Sequence, residues 1–312
     1  MRFLYGLHHH NIDITEKVLS EYTSEELVRI PSNDVQRAHM FTDPMVNVKK
    51  IIIAIDDNGN EKCFKAEEDL VVNLTDHFEE KQSVKESIHK IRDSIQKSDN
   101  PKQTLTSLQN ALTIEGGDFT EEYPEQLMSA SFISKHSKVL EIGSNIGRNS
   151  LIIASLLNDD TNFVTLECDP KSYDLLVNNR NLNEFKFHCE NSALSKKKLI
   201  QRGWTTIPSN YVLEGFKPVN TINYVQLKEK YNIEFDTLVI DCEGAFYHIL
   251  KDMPEILDTV KLVLIENDFT DESQKDYVDE VFRKEGFSRV QNFGTVPAFP
   301  QYSGRFYEVW AK

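Results

Sequence analysis

From about residue 120 onward, short apolar runs closed by polar turns alternate with segments of helical spacing, and this alternation constrains the fold more than any other feature. Five runs have strand length: Lys138–Ile142, Asn162–Glu167, Phe185–Cys189, Thr237–Asp241 and Lys261–Glu266. Helical segments, Asn145–Leu157 and Lys171–Leu182, separate the first three, and another follows the fourth. Strands joined through helices lie parallel, because only a long crossover returns the chain to the same end of a sheet. The expected class is therefore α/β, a doubly wound and mostly parallel sheet covered on both faces. A last helix, Glu272–Lys284, leads through Gly286 to two more β-like runs, Phe287–Asn292 and Arg305–Trp310.

The rest of the chain reads differently. Residues 1–75 form a small β-rich module in which the β-branched run Lys50–Ile55 is closed by Asp57-Asn58-Gly59 and returns at Cys63–Lys65. Residues 76–118 are polar, with Val84, Ile88, Ile91 and Ile95 as one helical stripe and Leu105, Leu108 and Leu112 as a second, split by Asp99-Asn100-Pro101. This is a helical connector to a domain at 119–312. Inside that domain, roughly 45 residues after Cys189 lack strong periodicity, a length that usually serves as a lid or substrate loop. They include Trp204, Pro208, Gly215 and Pro218. Trp204 and Tyr211 suit stacking on a ligand ring, or simply pin the loop down.

Charge limits the partners. The formal net charge is −15, and residues 1–100 and 101–312 are both acidic. No Lys/Arg cluster exceeds Lys196–Lys198. Such a surface repels phosphate backbones and anionic lipid, so the expectation is no nucleic acid and no membrane partner. No apolar run approaches the roughly 18–20 residues of a membrane span, and MRFLYGLHHH has neither the apolar core nor the cleavage site of a signal peptide. A cytoplasmic location follows. Cys63, Cys168, Cys189 and Cys242 lack the spacing of a disulfide framework or zinc site and read as free thiols in a reducing compartment. The His8-His9-His10 run has a metal-like composition but no matched partner, so it reads as an exposed loop.

The chemistry-bearing motif is KVLEIGSNIGRN at 138–149: an apolar strand, then Glu141, Gly143, Ser144, Asn145 and Gly147 opening a helix. At the first strand-to-helix turn of a doubly wound sheet, glycine lets a nucleotide-like ligand approach the backbone, and the helix start offers free N–H groups. The glycines are spaced G-x-x-x-G rather than G-x-G-x-x-G, which disfavours nicotinamide and flavin dinucleotides. The next strand ends in Glu167, 20 residues after Gly147, where an acid accepts hydrogen bonds from a ribose diol. S-adenosylmethionine fits this set better than NAD. It has the ribose and no pyrophosphate, and Glu141 can face its cationic amino end.

The blocks VLEIGSNIGRNS, VTLECDPKSYDLLVNNRNLN, ENSALSKKK, FDTLVIDCEGAFYHIL and LVLIEND, in that order, resemble the FkbM-type methyltransferase family over about residues 120–312. IDCEGAF is the most diagnostic block. The resemblance implies a Rossmann-like class I methyltransferase domain with a seven-stranded, mostly parallel sheet, S-adenosylmethionine as cofactor, and O-methylation of sugar or glycan hydroxyls. It also implies that Glu141, Gly143, Asn145 and Gly147 line the methionine and ribose side, that Glu167 holds the ribose, and that Asn191, Ser192 and Ala193 lie near adenine. The family usually has Asp where this chain has Glu141, and an alanine-type residue at Ser144. Pro124–Met128 resembles large-DNA-virus and algal members, which would put the protein in a host cytoplasm; residues 1–75 resemble, more weakly, a module of viral glycan-handling proteins.

Methyl transfer from a sulfonium needs an acceptor oxygen held in line and relieved of its proton. Candidates stand where strands end: Asp241, which also borders the cofactor, and Glu243 after the fourth strand, Glu266 and Asp268 after the fifth, and His248 one turn into the next helix. A carboxylate or His248 serves as base, or Asp241, Glu243, Glu266 and Asp268 bind a divalent ion such as Mg or Mn that acidifies the hydroxyl. Direct base catalysis is preferred. Each residue also has a plain structural role: Glu243 as a helix cap, His248 as an ordinary helix histidine, Glu266 and Asp268 as solvated loop acids. The alternative function is a methyltransferase-fold binding module with a dead site, working through its N-terminal part.

Overall fold

The computed structural model describes residues 1–79, 84–95 and 100–312. They form two compact units, Met1–Ser87 with Ile114–Asp118, and Ile88–Thr113 with Phe119–Lys312.

In the first unit, β1 (Arg2–Leu7) pairs antiparallel with β2 (His10–Asp13) on one side and β3 (Ile51–Ile55) on the other, and β4 (Glu61–Phe64) adds to β3. The β3–β4 hairpin expected around Asp57-Asn58-Gly59 is present, with Ile53 opposite Cys63. The Asp56 carboxylate closes its turn by accepting the N–H groups of Asn58 and Asn60 at 2.9 and 2.8 Å. Phe3, Tyr5 and Ile52 from this sheet pack with Val28, Ile30, Leu70 and Val72 from a second, three-stranded sheet. The unit is less purely β than its composition implies, since it also holds helices at Thr15–Glu21 and Asp34–Phe41.

Connector helices occupy Val84–Ile95 and Pro101–Ala111, the second started by Asn100, whose side chain accepts the Gln103 N–H. Leu105 and Leu108 are buried as the stripe predicts. Asp99 and the side chain of Ile95 lie outside the described residues. Arg92 donates to the carbonyls of Ser155 and Ala154 at 2.6 and 2.9 Å, satisfying groups that a helix end leaves open.

The second unit is built on a seven-stranded sheet. Its strands in chain order are β5 (Val139–Ile142), β6 (Phe163–Leu166), β7 (His188–Glu190), β8 (Thr237–Ile240), β9 (Leu262–Glu266), β10 (Ser288–Phe293) and β11 (Tyr307–Ala311). Across the sheet they stand β7-β6-β5-β8-β9-β11-β10, parallel except that β11 runs against both its neighbours. β5, β6 and β8 are buried at every position, as strands covered on both faces must be. The helices that bear on the site are α1 (Tyr123–Phe132), α2 (Arg148–Leu156), α3 (Pro170–Leu182), α4 (Phe246–Asp252) and α5 (Glu272–Lys284). α2 is buried at all its positions, which explains why its sequence shows no polar face. The stretch after β7 is not structureless: Leu199–Arg202 pairs antiparallel with Thr205–Pro208 and Lys217–Val219, and a helix follows at Tyr224–Tyr231. Among the described residues no helix is long and apolar enough to cross a membrane, and all four cysteines are free.

Candidate functional site

After β5 the chain moves outward to β6 and β7 and then returns to place β8 on the other side of β5. Ligands of open α/β sheets sit at such a reversal, beyond the carboxyl ends of the strands. Here that place is a cavity of about 290 Å³ whose walls include Gly143, Asn145, Glu167, Ser192, Ala193, Asp241 and Glu243. Gly143 has φ +87°, and a Cβ on it would stand 1.6 Å from the Asp241 carbonyl oxygen, so the turn from β5 closes only around glycine. Glu167 accepts the backbone N–H groups of Asn145 and Asp169 at 2.8 and 2.7 Å, one on each carboxylate oxygen. Burial nevertheless pushes its pKa up to about 7.

Two acids that sequence reasoning passed over complete the walls. Glu122, at a left-handed backbone position before α1, accepts from Asn145 Nδ2 at 3.1 Å and Arg148 Nη1 at 2.9 Å, and burial raises it to about 7. Glu125, on the first turn of α1, is buried, and its Oε2 has no hydrogen-bond partner among the described residues. Its carboxylate meets those of Asp241 and Glu266, with one oxygen from each within 4.8 Å of the others. Burial first, then the charge of Asp268 on Asp241 and of Asp241 on Glu266, holds both well above the usual carboxylate range. Glu125 lies within Pro124–Met128, a block noted in the sequence for its resemblance, with no chemistry attached to it. Only the docking of α1 beside β9 brings it to the strand ends.

Several expected site residues do not line this cavity. Strand alternation sends Glu141 into the core, where it accepts from Ser150 Oγ, Thr165 Oγ1 (2.7 Å) and Asn149 Nδ2 (3.3 Å). It ties α2 to β5 and β6, which corrects the expectation that it faces a ligand's amino group. Gly147 meets α3, a Cβ there standing 2.7 Å from Leu176 Cδ1, so its glycine serves helix packing. Ser144 Oγ donates to the Leu166 carbonyl at 3.3 Å, and Asn191 Nδ2 donates to the Glu167 carbonyl at 2.9 Å. Asp268 is buried behind the 242–244 turn, receiving the N–H groups of Gly244 and Glu243, and burial with the nearby Glu243 charge raises it to about 7. As a cation cluster the structure therefore offers Glu125, Asp241 and Glu266, with Glu243 and Asp268 outside it.

A second cavity, about 200 Å³, adjoins the first and shares Trp204, Thr206, Cys242 and Glu243 with it. His248, Thr270 and Gln274 line only this one, so His248 stands apart from the acid cluster. Trp204 comes from the insertion after β7 and is 58% exposed. Glu243, at φ +54°, is the one carboxylate common to both walls among the described residues. Burial raises its pKa as well.

A seven-stranded sheet in this order, with one reversed strand and its cavity at the switch point, decides the architecture. The fold is a Rossmann-like, doubly wound α/β sheet. No family model and no curated protein matches the chain. Solved structures similar to it include an O-methyltransferase from Bacillus cereus in complex with SAH, 15% identical over 74% of this chain and 90% of that one, TM-score 0.34. Another is an rRNA methylase from Streptococcus thermophilus, 11% identical over 61% and 94%, TM-score 0.37. A third is a protein of the NADB-Rossmann superfamily from Streptococcus agalactiae, 14% identical over 60% and 67%, TM-score 0.37.

Proposed function

We propose that the chain is an S-adenosylmethionine-dependent O-methyltransferase acting on a hydroxyl of a neutral polyhydroxyl acceptor, a sugar or glycan. One observation carries the reading. Among the described residues, the switch-point cavity is walled by six carboxyl groups, Glu122, Glu125, Glu167, Asp241, Glu243 and Glu266, and by no Lys, Arg or His. A phosphorylated cofactor would be repelled there, whereas a ligand with sulfonium and ammonium groups brings the opposite charge to acids whose pKa values burial raises. The unpartnered Glu125 Oε2 and the strand-end Glu167 fit that ligand's cationic end and ribose diol.

When bound, S-adenosylmethionine supplies a methyl group already activated by positive sulfur. The chain's own residues then have three tasks. Glu167 orients the ribose, Ser192 and Ala193 border the adenosine side, and Asp241 balances charge beneath the methyl donor. The adjoining cavity receives the acceptor, whose hydroxyls meet neutral Thr206, Thr270 and Gln274 and whose ring faces Trp204. Glu243, bordering both cavities, takes the acceptor proton, and its raised pKa brings it closer to the working pH of a base. The residues best matched to a divalent cation, Glu125, Asp241 and Glu266, line the donor cavity and not the adjoining one, so an ion held there would compete with the donor's cationic end. The family resemblance supports sugar as the acceptor, and the net charge of −15 argues against a nucleic-acid acceptor.

Titration calorimetry with S-adenosylmethionine and S-adenosylhomocysteine tests this. Binding is expected in the wild type, with affinity at least about tenfold lower in Glu167→Ala; a wild type that binds neither sinks the enzyme reading in favour of a dead-site module. Glu243→Gln should keep cofactor affinity and lose about a hundredfold or more in turnover on a sugar panel. Turnover should survive exhaustive chelation; loss restored by Mg or Mn would assign proton removal to a bound cation.

A further inference from the structure

We propose that Cys63, His8 and Glu115 form a reactive-thiol centre in the N-terminal unit, with small disulfides as its substrates. The His8-His9-His10 run has no role in the cavity chemistry, yet its first member is not a loose loop residue. His8 Nδ1 lies 2.5 Å from Glu115 Oε1, and the His8 backbone N–H also points to that carboxylate, at 3.3 Å from Oε2. The Glu115 side chain is 2% exposed, so its carboxyl group is held against the ring away from water. On the other edge, His8 Nε2 stands 3.7 Å from Cys63 Sγ and 3.4 Å from Glu61 Oε2. Glu61 and Cys63 are two apart on β4 and so share a face, which is how both reach the same nitrogen.

This is the order of parts that activates a cysteine: nucleophile, base, and a third group that orients the base. Burial alone would lower the His8 pKa, but hydrogen bonds to Cys63 and Glu115, with the Glu115 charge, raise it to about 10. Imidazolium is therefore the favoured form beside the sulfur. The groups facing His8 are Glu61, Cys63 and Glu115. Cys63 is exposed, whereas Cys168 and Cys189 are pushed up to about 11 and about 12 by burial, and Cys242 is raised by burial as well.

In the reaction, the one proton shared by the Cys63–His8 pair sits on His8, and the Cys63 thiolate it leaves attacks one sulfur of the disulfide. A bond forms between Cys63 Sγ and that sulfur, the original S–S bond breaks, and the departing thiolate recovers the proton from His8. Cys63 is oxidised to a mixed disulfide as one equivalent of small thiol is released. Glu115 acts through His8 as a positioning residue.

The full chain is treated with dithiobis(nitrobenzoate), and separately with glutathione disulfide, and the labelled cysteine is located by peptide mass spectrometry. Cys63 should label first, at pH 7 about tenfold or more faster than free glutathione, and Cys63→Ser should remove the fast phase. His8→Gln should bring the rate down to that of free glutathione and restore the roughly tenfold rise per pH unit of an unassisted thiol. Glu115→Gln should shift the pH profile of labelling, which a merely structural role would not do. If either variant is unfolded, the wild-type pH profile decides by itself. The proposal is overturned if Cys63 labels no faster than glutathione, or if folded His8→Gln leaves rate and profile unchanged.

Discussion

Single residues carry the tightest constraints. Gly143→Ala would force a Cβ to within 1.6 Å of a backbone oxygen at positive φ, where neither atom sits on a flexible side chain. Denaturant unfolding should show a loss of more than about 3 kcal/mol, or no soluble protein. Glu141 makes a prediction about pH. Burial raises its pKa from 4.5 to about 7 despite the three side chains that donate to it. A carboxyl raised in the folded state contributes stability that is full below the unfolded pKa and is lost as pH rises through the folded one. Glu141→Gln should therefore match the wild type near pH 4.5 and exceed it by about 1–3 kcal/mol near pH 8, measured as a difference in unfolding free energy. A variant less stable at pH 8 would show that the ionised carboxylate holds α2 in place. Glu167 shifts the same way, so affinity for the cationic cofactor should weaken as pH falls through about 7, read by calorimetry across that range.

Elements differ in how far the sequence exposed them. β5, β6, β8 and β9 were legible because a strand buried on both faces reads as an unbroken apolar run, and α5 because its ends are marked by Asp271 and Gly286. The third strand begins later than its apolar letters do, at His188, since Phe185 and Phe187 pack in the core, Phe187 lying 5.0 Å from the Phe163 ring. The insertion after β7 defeated pattern reading. Its strands are short and partly exposed, so alternation is faint, and their pairing joins segments separated by turns of unequal length. Function at that level has its own test. Trp204→Ala should raise the acceptor KM about tenfold or more with cofactor affinity little changed, in steady-state kinetics against calorimetry. Equal losses in both would place Trp204 over the cofactor instead.

For the whole molecule, the net charge of −15 works against binding polyanions over the whole surface. Gel retardation of a bulk tRNA mixture at about 50 mM salt should show no complex; a stable one would demand a basic face that the sequence does not reveal. Sequence by itself determined the α/β class, most strand positions, the first glycine turn and the acid after β6. These follow from periodicity and from glycine's unique backbone range, both local properties of the chain. Only the tertiary structure decided which acids face the cavity. It turned Glu141 inward and set Asp268 behind a turn. It carried Glu122, just before α1, and Glu125, on its first turn, to the strand ends, and it returned Glu115 to meet His8 across more than a hundred residues of chain. Side-chain direction at a strand end and the meeting of distant segments depend on packing, and packing leaves no trace in local spacing.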